Sequence, residues 1–179
     1  MIIILGIAGA GKGTQAGLLA KDLATAQLSS GEILRRHKNQ DEIQAAMAKG
    51  VLVKDEILLP IMEAEIKSAG GGHSQLILDG FPRSIEQAHW IMKKVETGEF
   101  SLKAIINLKL APQKALERLQ ARSRSDDNRK AINQRFEEYK ENILPIINYF
   151  RAQGFRVSDI DGDQPIAKVA KDIKAALEV

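Results

Sequence analysis

The chain of 179 residues is about the length of one domain and long enough to bury a core without disulfides, which excludes a mini-protein scaffold. Apolar residues make up 44% and charged residues 27% of the sequence, which is typical of a globular protein and excludes a disordered tail or a coiled coil. The net charge of +3 is a mild basic excess that suits a nucleic acid or any small polyanion, so the placement of the arginines has to decide the partner.

Strand-like segments alternate with helical patterns along the chain. Residues 2–5 form a β-branched apolar run that stops at a glycine, which is typical of a strand buried on both faces. From residue 12 to residue 23, small and apolar side chains recur at helical spacing. Further strands are predicted at residues 26–28, 75–78, 104–108 and 155–160, and further helices at 84–96, from Pro112 onward and at 165–177. The alternation predicts a three-layer α/β/α fold around a parallel sheet of about five strands, with ligands at the carboxyl ends of the strands.

Two segments interrupt this alternation. Residues 29–69 have helical character and no convincing strand, and Ser30 is predicted to cap the first helix, so the segment is interpreted as a helical insertion. A polar segment containing Asp126 and Asp127 joins two later helices, and these aspartates are expected to cap the second one. Because no repeat or Pro/Gly/Ser-rich linker separates the parts, residues 1–179 are predicted to form one domain.

The segment after the first strand has the pattern of a phosphate loop. Gly6, Gly11 and Lys12 have the spacing of that motif between a buried strand and a helix, where successive backbone N–H groups converge on an anion. The general motif has Ser or Thr directly after the lysine as a magnesium ligand. Here Gly13 stands in that position and Thr14 follows, so magnesium is expected to be held mainly by phosphates and water.

Further charged residues are predicted to lie near this loop. Asp79 ends an apolar strand, where an acidic side chain can orient magnesium-bound water. Arg83 follows a Phe-Pro turn, and its planar guanidinium suits a phosphate. Residues 117–135 contain six cations and three anions, an excess that phosphates would balance. Arg122, Arg124 and Arg135 are assigned to the site, and Arg129 and Lys130 to the solvated surface.

These motifs resemble those of nucleoside monophosphate kinases and, among them, the adenylate kinase family. The phosphate loop ends in the Gly-Lys-Gly-Thr of that family, and residues 28–35, 50–56, 78–83 with Gln87, and 161–166 are similar to its other motifs. Ser30 replaces the family's usual threonine and Glu32 its aspartate, and both changes keep the chemical type. The resemblance covers nearly the whole chain. It implies an insertion at residues 29–53 that binds the monophosphate and a truncated lid loop at 121–127.

The resemblance also implies the roles of individual residues. The ATP site would comprise Gly9, Ala10, Gly11, Lys12, Gly13, Thr14, Arg118, Arg122 and Gln164. The AMP site would comprise Ser30, Arg35, Val51, Leu52, Val53, Gly80, Phe81, Pro82, Arg83, Gln87, Arg124 and Arg135. The catalytic residues would be Lys12, Arg83, Arg122, Arg124 and Arg135, with Mg²⁺ as cofactor and Asp79 orienting it through water.

The activity expected from this resemblance is reversible, Mg-dependent transfer of the γ-phosphoryl group of ATP to AMP, giving two ADP. A UMP/CMP kinase is the nearest alternative because residues 124–129 also occur in that relative, but Gln87 favours adenine since a carboxamide both accepts and donates. A P-loop switch protein is disfavoured because the chain has no Asn-Lys-x-Asp motif. Nucleic-acid binding is disfavoured because aromatic residues are only 4% of the sequence and the arginines cluster around one predicted cleft.

The remaining expectations concern the surroundings of the protein. The sequence has no cysteine, so neither disulfides nor thiolate chemistry is expected, and a reducing, cytoplasmic location is favoured. No apolar run approaches the ~20 residues of a membrane span, so no membrane partner and no signal peptide are expected. The predicted partners are the nucleotides ATP, AMP and ADP, bound by a monomer.

Overall fold

A central parallel sheet organises the chain in the computed structural model, which describes residues 1–37, 40–71, 76–122 and 128–179. The strands are β1 (Ile2–Gly6), β2 (Ala26–Ser29), β3 (Leu76–Asp79), β4 (Ala104–Lys109) and β5 (Val157–Asp161). They lie side by side in the order β2-β3-β1-β4-β5, and every neighbouring pair is parallel. The predicted α/β fold with about five parallel strands is therefore confirmed, although residue 75 of the third predicted strand lies outside the described residues.

Helices pack against both faces of the sheet. They are α1 (Lys12–Asp22), α2 (Ser30–Arg36), α3 (Asp41–Lys49), α4 (Asp55–Ser68), α5 (Ile85–Glu96), α6 (Pro112–Arg122), α7 (Arg129–Glu138), α8 (Leu144–Ala152) and α9 (Ile166–Leu177). A π-helical turn, Tyr139–Ile143, joins α7 to α8. In the described part of the chain, no helix is both long and apolar enough to cross a bilayer.

Two hydrophobic cores lie on opposite faces of the sheet, and β1 supplies both of them. Ile3 and Leu5 pack into the core that includes residues of α4, α5 and α8. Ile2 and Ile4 point the other way, into the core that includes residues of α1 and α9. Because side chains alternate across a strand, a strand covered on both faces needs apolar residues throughout. The unbroken apolar run at residues 2–5 is explained by the burial of β1 on both faces.

The regular elements described between β2 and β3 are the helices α2, α3 and α4, as predicted for residues 29–69, although Ser29 itself ends β2. The predicted cap at Ser30 is wrong. Ser29 is the N-cap residue of α2, and the Ser30 hydroxyl instead donates to the carbonyl oxygen of Gly80 at 2.7 Å. The interpretation of residues 29–53 as a separate nucleotide-binding insertion remains a prediction.

The cap of α7 also differs from the prediction. The side chain of Asn128 caps this helix by accepting from the backbone N–H of Ala131 at 2.9 Å. Asn128 therefore holds the N-cap position, and Asp126 and Asp127, which were expected to cap this helix, lie outside the described residues. Asparagine serves as well as aspartate here because capping requires only a short side chain with an acceptor oxygen.

Gly6, the last residue of β1, has no room for a side chain. A Cβ atom at this position, where φ is +145°, would stand 2.5 Å from the carbonyl oxygen of Leu108 on β4. The backbone of β1 therefore approaches β4 closely at the point where the phosphate loop begins. Only glycine combines this dihedral angle with this approach.

We expect Gly6→Ala to lower the free energy of unfolding by about 2–5 kcal/mol, because it combines backbone strain with a collision against main-chain atoms. Gly98→Ala is the matched control, since Gly98 also has a positive φ (+74°) but open space around it, and we expect a loss of about 1 kcal/mol. Urea denaturation of both variants measures the difference. Equal losses would contradict the close approach of β1 to β4.

Candidate functional site

A cleft of about 760 Å³ opens at the carboxyl ends of the strands. The ends of β1, β2 and β3, at Gly6, Ser29 and Asp79, line it, together with parts of α1, α2, α6, α7 and the start of α9. The cleft therefore lies at the edge of the sheet where the alternating sequence pattern predicts the ligand site.

The cleft collects most of the residues that the sequence singles out. The predicted site residues that line it are Gly9, Ala10, Gly11, Lys12, Gly13, Thr14, Ser30, Arg35, Val51, Leu52, Val53, Asp79, Gly80, Arg83, Arg118, Arg122, Arg135 and Gln164. Phe81, Pro82 and Gln87 do not line it, and Arg124 lies outside the described residues. Arg129 and Lys130 are exposed, as predicted for surface cations.

The phosphate loop delivers the N-terminus of α1 to the cleft. Gly11, with φ at +92°, precedes the helix, and no side chain caps it. The first N–H group bonded within this helix is that of Gln15, which donates to the carbonyl oxygen of Gly11 at 3.0 Å. The N–H groups of Lys12, Gly13 and Thr14 have no acceptor one helical turn earlier, so they add to the positive end of the helix dipole. An N-terminus of this kind favours the binding of a phosphate.

The side chain of Lys12 turns back onto the backbone of the phosphate loop. Its Nζ atom donates to the carbonyl oxygens of Gly6 and Ile7 at 2.8 and 3.0 Å. Burial lowers the pKa of Lys12 to about 8, the nearby Asp79 carboxylate opposes this fall, and the charge of Arg83 adds to it. The ammonium group is thus poorly hydrated at the site where a phosphate would stabilise its charge.

Arg83 and Glu138 lie close together in the wall of the cleft. The Nε atom of Arg83 donates to the carbonyl oxygen of Gly80 at 2.8 Å, and its Nη1 atom lies 3.8 Å from Oε1 of Glu138. Glu138 is only 7% exposed, and burial raises the pKa of its carboxyl group while Arg83, Lys12 and Arg135 lower it. The carboxylate balances part of the positive charge gathered here. Sequence analysis missed Glu138, although its position three residues after Arg135 places both on one face of α7.

Phe81 and Pro82 shape the turn that carries Arg83 and do not reach the cleft. Phe81 is fully buried and packs edge-on against Trp90 at a ring-centroid distance of 6.1 Å. The following peptide bond, Phe81–Pro82, is cis. Phe81 belongs to the core below the site, and the ligand contacts expected of Phe81 and Pro82 remain a prediction.

Gln87 is fully buried and bonded at both ends of its carboxamide. Its Oε1 atom accepts from the backbone N–H of Arg83 at 2.7 Å, and its Nε2 atom donates to Oδ1 of Asp55 at 2.6 Å. The other oxygen of Asp55 accepts from the Ser84 hydroxyl at 3.1 Å. Gln87 therefore joins the start of α4 to the start of α5. Its predicted hydrogen bonds with a base remain a prediction.

The turn between β5 and α9 forms another wall of the cleft. The Nη1 atom of Arg118 donates to the carbonyl oxygen of Gly162 at 3.0 Å, which holds the guanidinium against this turn. Gln164 donates to the carbonyl oxygen of Asp161 at 3.0 Å, and Ile166 next to it is 60% exposed. A planar cation and an exposed apolar side chain that line the same cleft suit the face of a base.

Asp79 is the acidic residue that the sequence predicts to orient a nucleotide-bound metal. It ends β3, lines the cleft and is 7% exposed, and its Oδ2 atom lies 3.2 Å from where a Cβ atom on Gly13 would stand. Among the described residues, no group of three or more His, Cys, Asp or Glu side chains is placed to hold a metal. A single carboxylate fits magnesium, which keeps several waters and binds largely through substrate phosphates.

Comparison with known proteins agrees with this geometry. The family model described as adenylate kinase matches residues 4–155. The chain belongs to the adenylate kinase family. An adenylate kinase of Prochlorococcus marinus (strain MIT 9211) is 35% identical over 181 residues, which cover 98% of this chain and 96% of the relative. An adenylate kinase of Corynebacterium urealyticum (strain ATCC 43042 / DSM 7109) is 32% identical over 182 residues, which cover 99% and 98%.

Membership of the adenylate kinase family confirms the resemblance seen in the sequence. The chain is a nucleoside monophosphate kinase, a phosphotransferase that acts on nucleotides. The P-loop switch protein and the nucleic-acid-binding protein, which are the alternatives from other classes, gain no support from the family or from the cleft.

In this adenylate kinase family member, we expect the Lys12 side chain to titrate with a midpoint of about 8 in the free protein, because burial disfavours its charged form. Nuclear magnetic resonance of the lysine ε-methylene group measures the midpoint. Glu138→Gln removes an anion that favours the charge, so the midpoint should fall, whereas Glu141→Gln changes an exposed carboxylate and should leave it in place. A midpoint at the ordinary lysine value of about 10.4 would contradict the burial of Lys12.

Proposed function

We propose that this enzyme transfers the γ-phosphoryl group of ATP to AMP, reversibly, and so forms two molecules of ADP. The observation that carries the proposal is the convergence of the phosphate loop with Lys12, Arg83, Arg122 and Arg135 on one cleft. The cleft has two further walls where bases fit, one at the turn before α9 and one at residues 51–53. Two nucleotides bound in this way would have their phosphates facing each other.

The donor ATP is assigned to the phosphate-loop side. Residues 9–14 would hold its phosphates with backbone N–H groups and with the ammonium group of Lys12. Its adenine would lie between the Arg118 guanidinium and the exposed side chain of Ile166, with Gln164 beside it. The contact of Arg118 with Gly162 supports this assignment, because it fixes the guanidinium on the wall that carries Ile166.

The acceptor AMP is assigned to the side of α2 and residues 51–53. Val51 is an exposed apolar side chain, 44% accessible, that lines the cleft, and it would cover one face of the adenine. Arg35 and Arg83 line the cleft with it and would hold the α-phosphate. The Ser30 hydroxyl bonds Gly80 and so links the start of α2 to the turn that carries Arg83.

The chemical step requires positioning and charge rather than a general base. An oxygen of the AMP phosphate forms a bond to the γ-phosphorus, and the bond from that phosphorus to the bridging oxygen breaks, so that ADP leaves with the electron pair. Lys12, Arg83, Arg122 and Arg135 would neutralise the charge that spreads over the transferred group. Arg124 belongs to the proposed set on the sequence evidence alone. Negative charge from Glu138 would keep Arg83 pointing into the cleft before substrate arrives.

Magnesium is the proposed cofactor, and it would neutralise the β- and γ-phosphate oxygens of ATP when bound. Asp79 would orient its water ligands. Gly13 supports this role because the lack of a side chain there lets the Asp79 carboxylate approach the first turn of α1.

AMP is proposed as the acceptor rather than CMP or UMP because a carboxamide at Gln87 matches the edge of adenine. Gln87 is covered in this structure, so its contact with a base requires Asp55 or the neighbouring residues to shift. A cytoplasmic monomer is part of the same proposal. Two of the exposed apolar side chains, Val51 and Ile166, line the cleft, which supports a role for them in binding bases rather than another subunit.

A coupled assay of ATP with AMP, CMP, UMP and dTMP tests the proposed function, and we expect AMP to give the highest kcat/KM. Lys12→Met should lower the rate about 100-fold while the melting temperature stays unchanged, because the ammonium group acts on the transferred charge. Lys21→Met is the control, since Lys21 is an exposed lysine on the same helix. A higher kcat/KM with CMP or UMP would reject AMP as the acceptor.

We expect Arg118→Ala to raise KM for ATP about tenfold and to leave KM for AMP unchanged, because Arg118 donates to Gly162 and Asp163 in the proposed donor wall. Steady-state kinetics with each substrate varied in turn measures the two constants. Arg129→Ala removes an exposed arginine and provides the control. An equal rise in KM for ATP and in KM for AMP would show that Arg118 does not belong to a donor-specific site.

A further inference from the structure

The last turn of α3 meets the first turn of α7. After α3 the chain turns at Gly50, where φ is +72°. The N–H groups of Gly50 and Val51 donate back to the carbonyl oxygens of Met47 and Ala46, each at 3.1 Å. These bonds satisfy two of the four carbonyl groups that a helix leaves free at its C-terminus. The carbonyl oxygen of Ala48 is not one of them.

Asn128, at the start of α7, supplies the donor for the carbonyl oxygen of Ala48. Its Nδ2 atom donates to the carbonyl oxygen of Ala48 at 3.2 Å, while its Oδ1 atom accepts from the N–H of Ala131 at 2.9 Å. One carboxamide therefore caps the C-terminus of α3 and the N-terminus of α7 at the same time. Aspartate would cap α7 equally well but has no proton for Ala48, since a carboxylate only accepts.

The two helices are in direct backbone contact beside this hydrogen bond. A Cβ atom on Gly50 would lie 2.7 Å from the carbonyl oxygen and 2.8 Å from the Cα atom of Ala131, which is fully buried. The absence of a side chain at Gly50 allows this approach. The Asn128–Ala48 bond is itself exposed to solvent, and it lies beside this close-packed junction.

We propose that Asn128 is a positioning residue for the AMP site. The junction joins Gly50 to Ala131 of α7, the helix that carries Arg135 and Glu138. Gly50 directly precedes residues 51–53, the proposed wall for the adenine of AMP. One side chain thereby sets the distance between the base wall and the phosphate-binding cations. This inference rests on the proposed function, because that proposal assigns residues 51–53 to AMP.

The substitution Asn128→Asp separates the two bonds. It keeps the cap of α7 and replaces the donor to Ala48 with an oxygen that repels the carbonyl group. We expect KM for AMP to rise about three- to tenfold, the range that corresponds to the loss of one hydrogen bond, with little change in KM for ATP. Amide protons of residues 50–53 should exchange faster with solvent, because the end of α3 is no longer held.

Two further variants separate the loss of the bond to Ala48 from a loss of stability and from a change of charge. Asn128→Ala removes both bonds, so it should raise KM for AMP to a similar extent and also lower the melting temperature through the lost cap. Asn133→Asp makes the same charge change at an exposed position of α7, and it should leave both Michaelis constants unchanged. A purely structural role for Asn128 would affect the melting temperature without a selective effect on AMP.

The experiment measures kcat, both Michaelis constants, the melting temperature and amide exchange for the wild type and the three variants. A selective rise in KM for AMP with faster exchange at residues 50–53 in Asn128→Asp supports the proposal. A change in KM for AMP of less than about twofold, or equal changes for AMP and ATP, overturns it. If the wild type does not phosphorylate AMP, the proposed function fails. Unchanged amide exchange at residues 50–53 in Asn128→Asp independently rejects the role of Asn128 in holding the end of α3.

Discussion

The rest of the structure depends on the way β1 is enclosed. This strand lies at the centre of the sheet, pairs with β3 on one side and β4 on the other, and buries side chains in both cores. It ends at Gly6, whose backbone approaches Leu108 so closely that no side chain fits. The phosphate loop therefore leaves the sheet from a rigid point. The N-terminus of α1, which follows that loop, is held by the same packing.

Charge sets the second constraint, because the cleft gathers several cations in a partly buried space. Burial of Lys12 disfavours its charged form and lowers its pKa to about 8. Glu138 and Asp79 are the buried carboxylates of the described residues, and both line the cleft where the cations meet. They offset part of the repulsion before substrate binds. The folded protein thus keeps an excess of positive charge in the cleft. The negative charge of bound nucleotide phosphates would neutralise it.

Neighbouring elements are joined by polar side chains bonded at both ends. Gln87 bonds Asp55 and the backbone of Arg83, and so connects α4 with the turn that carries that arginine. Asn128 bonds Ala48 and Ala131, and so connects α3 with α7. Ser30 bonds Gly80 and connects α2 with the same turn as Gln87 does. Each link joins segments that contribute other residues to the lining of the cleft.

The sequence by itself determined the features that are encoded in neighbouring residues. The order of strands and helices follows from apolar periodicity, and the phosphate loop follows from the spacing of Gly6, Gly11 and Lys12 between a strand and a helix. The tertiary structure alone decided which distant side chains meet. Gln87 bonds Asp55 from 32 positions away, and Asn128 bonds Ala48 from 80 positions away. The burial of Glu138 depends on the same kind of long-range packing. Local sequence patterns do not predict these contacts, because long-range packing sets both the partner and the burial of a polar side chain.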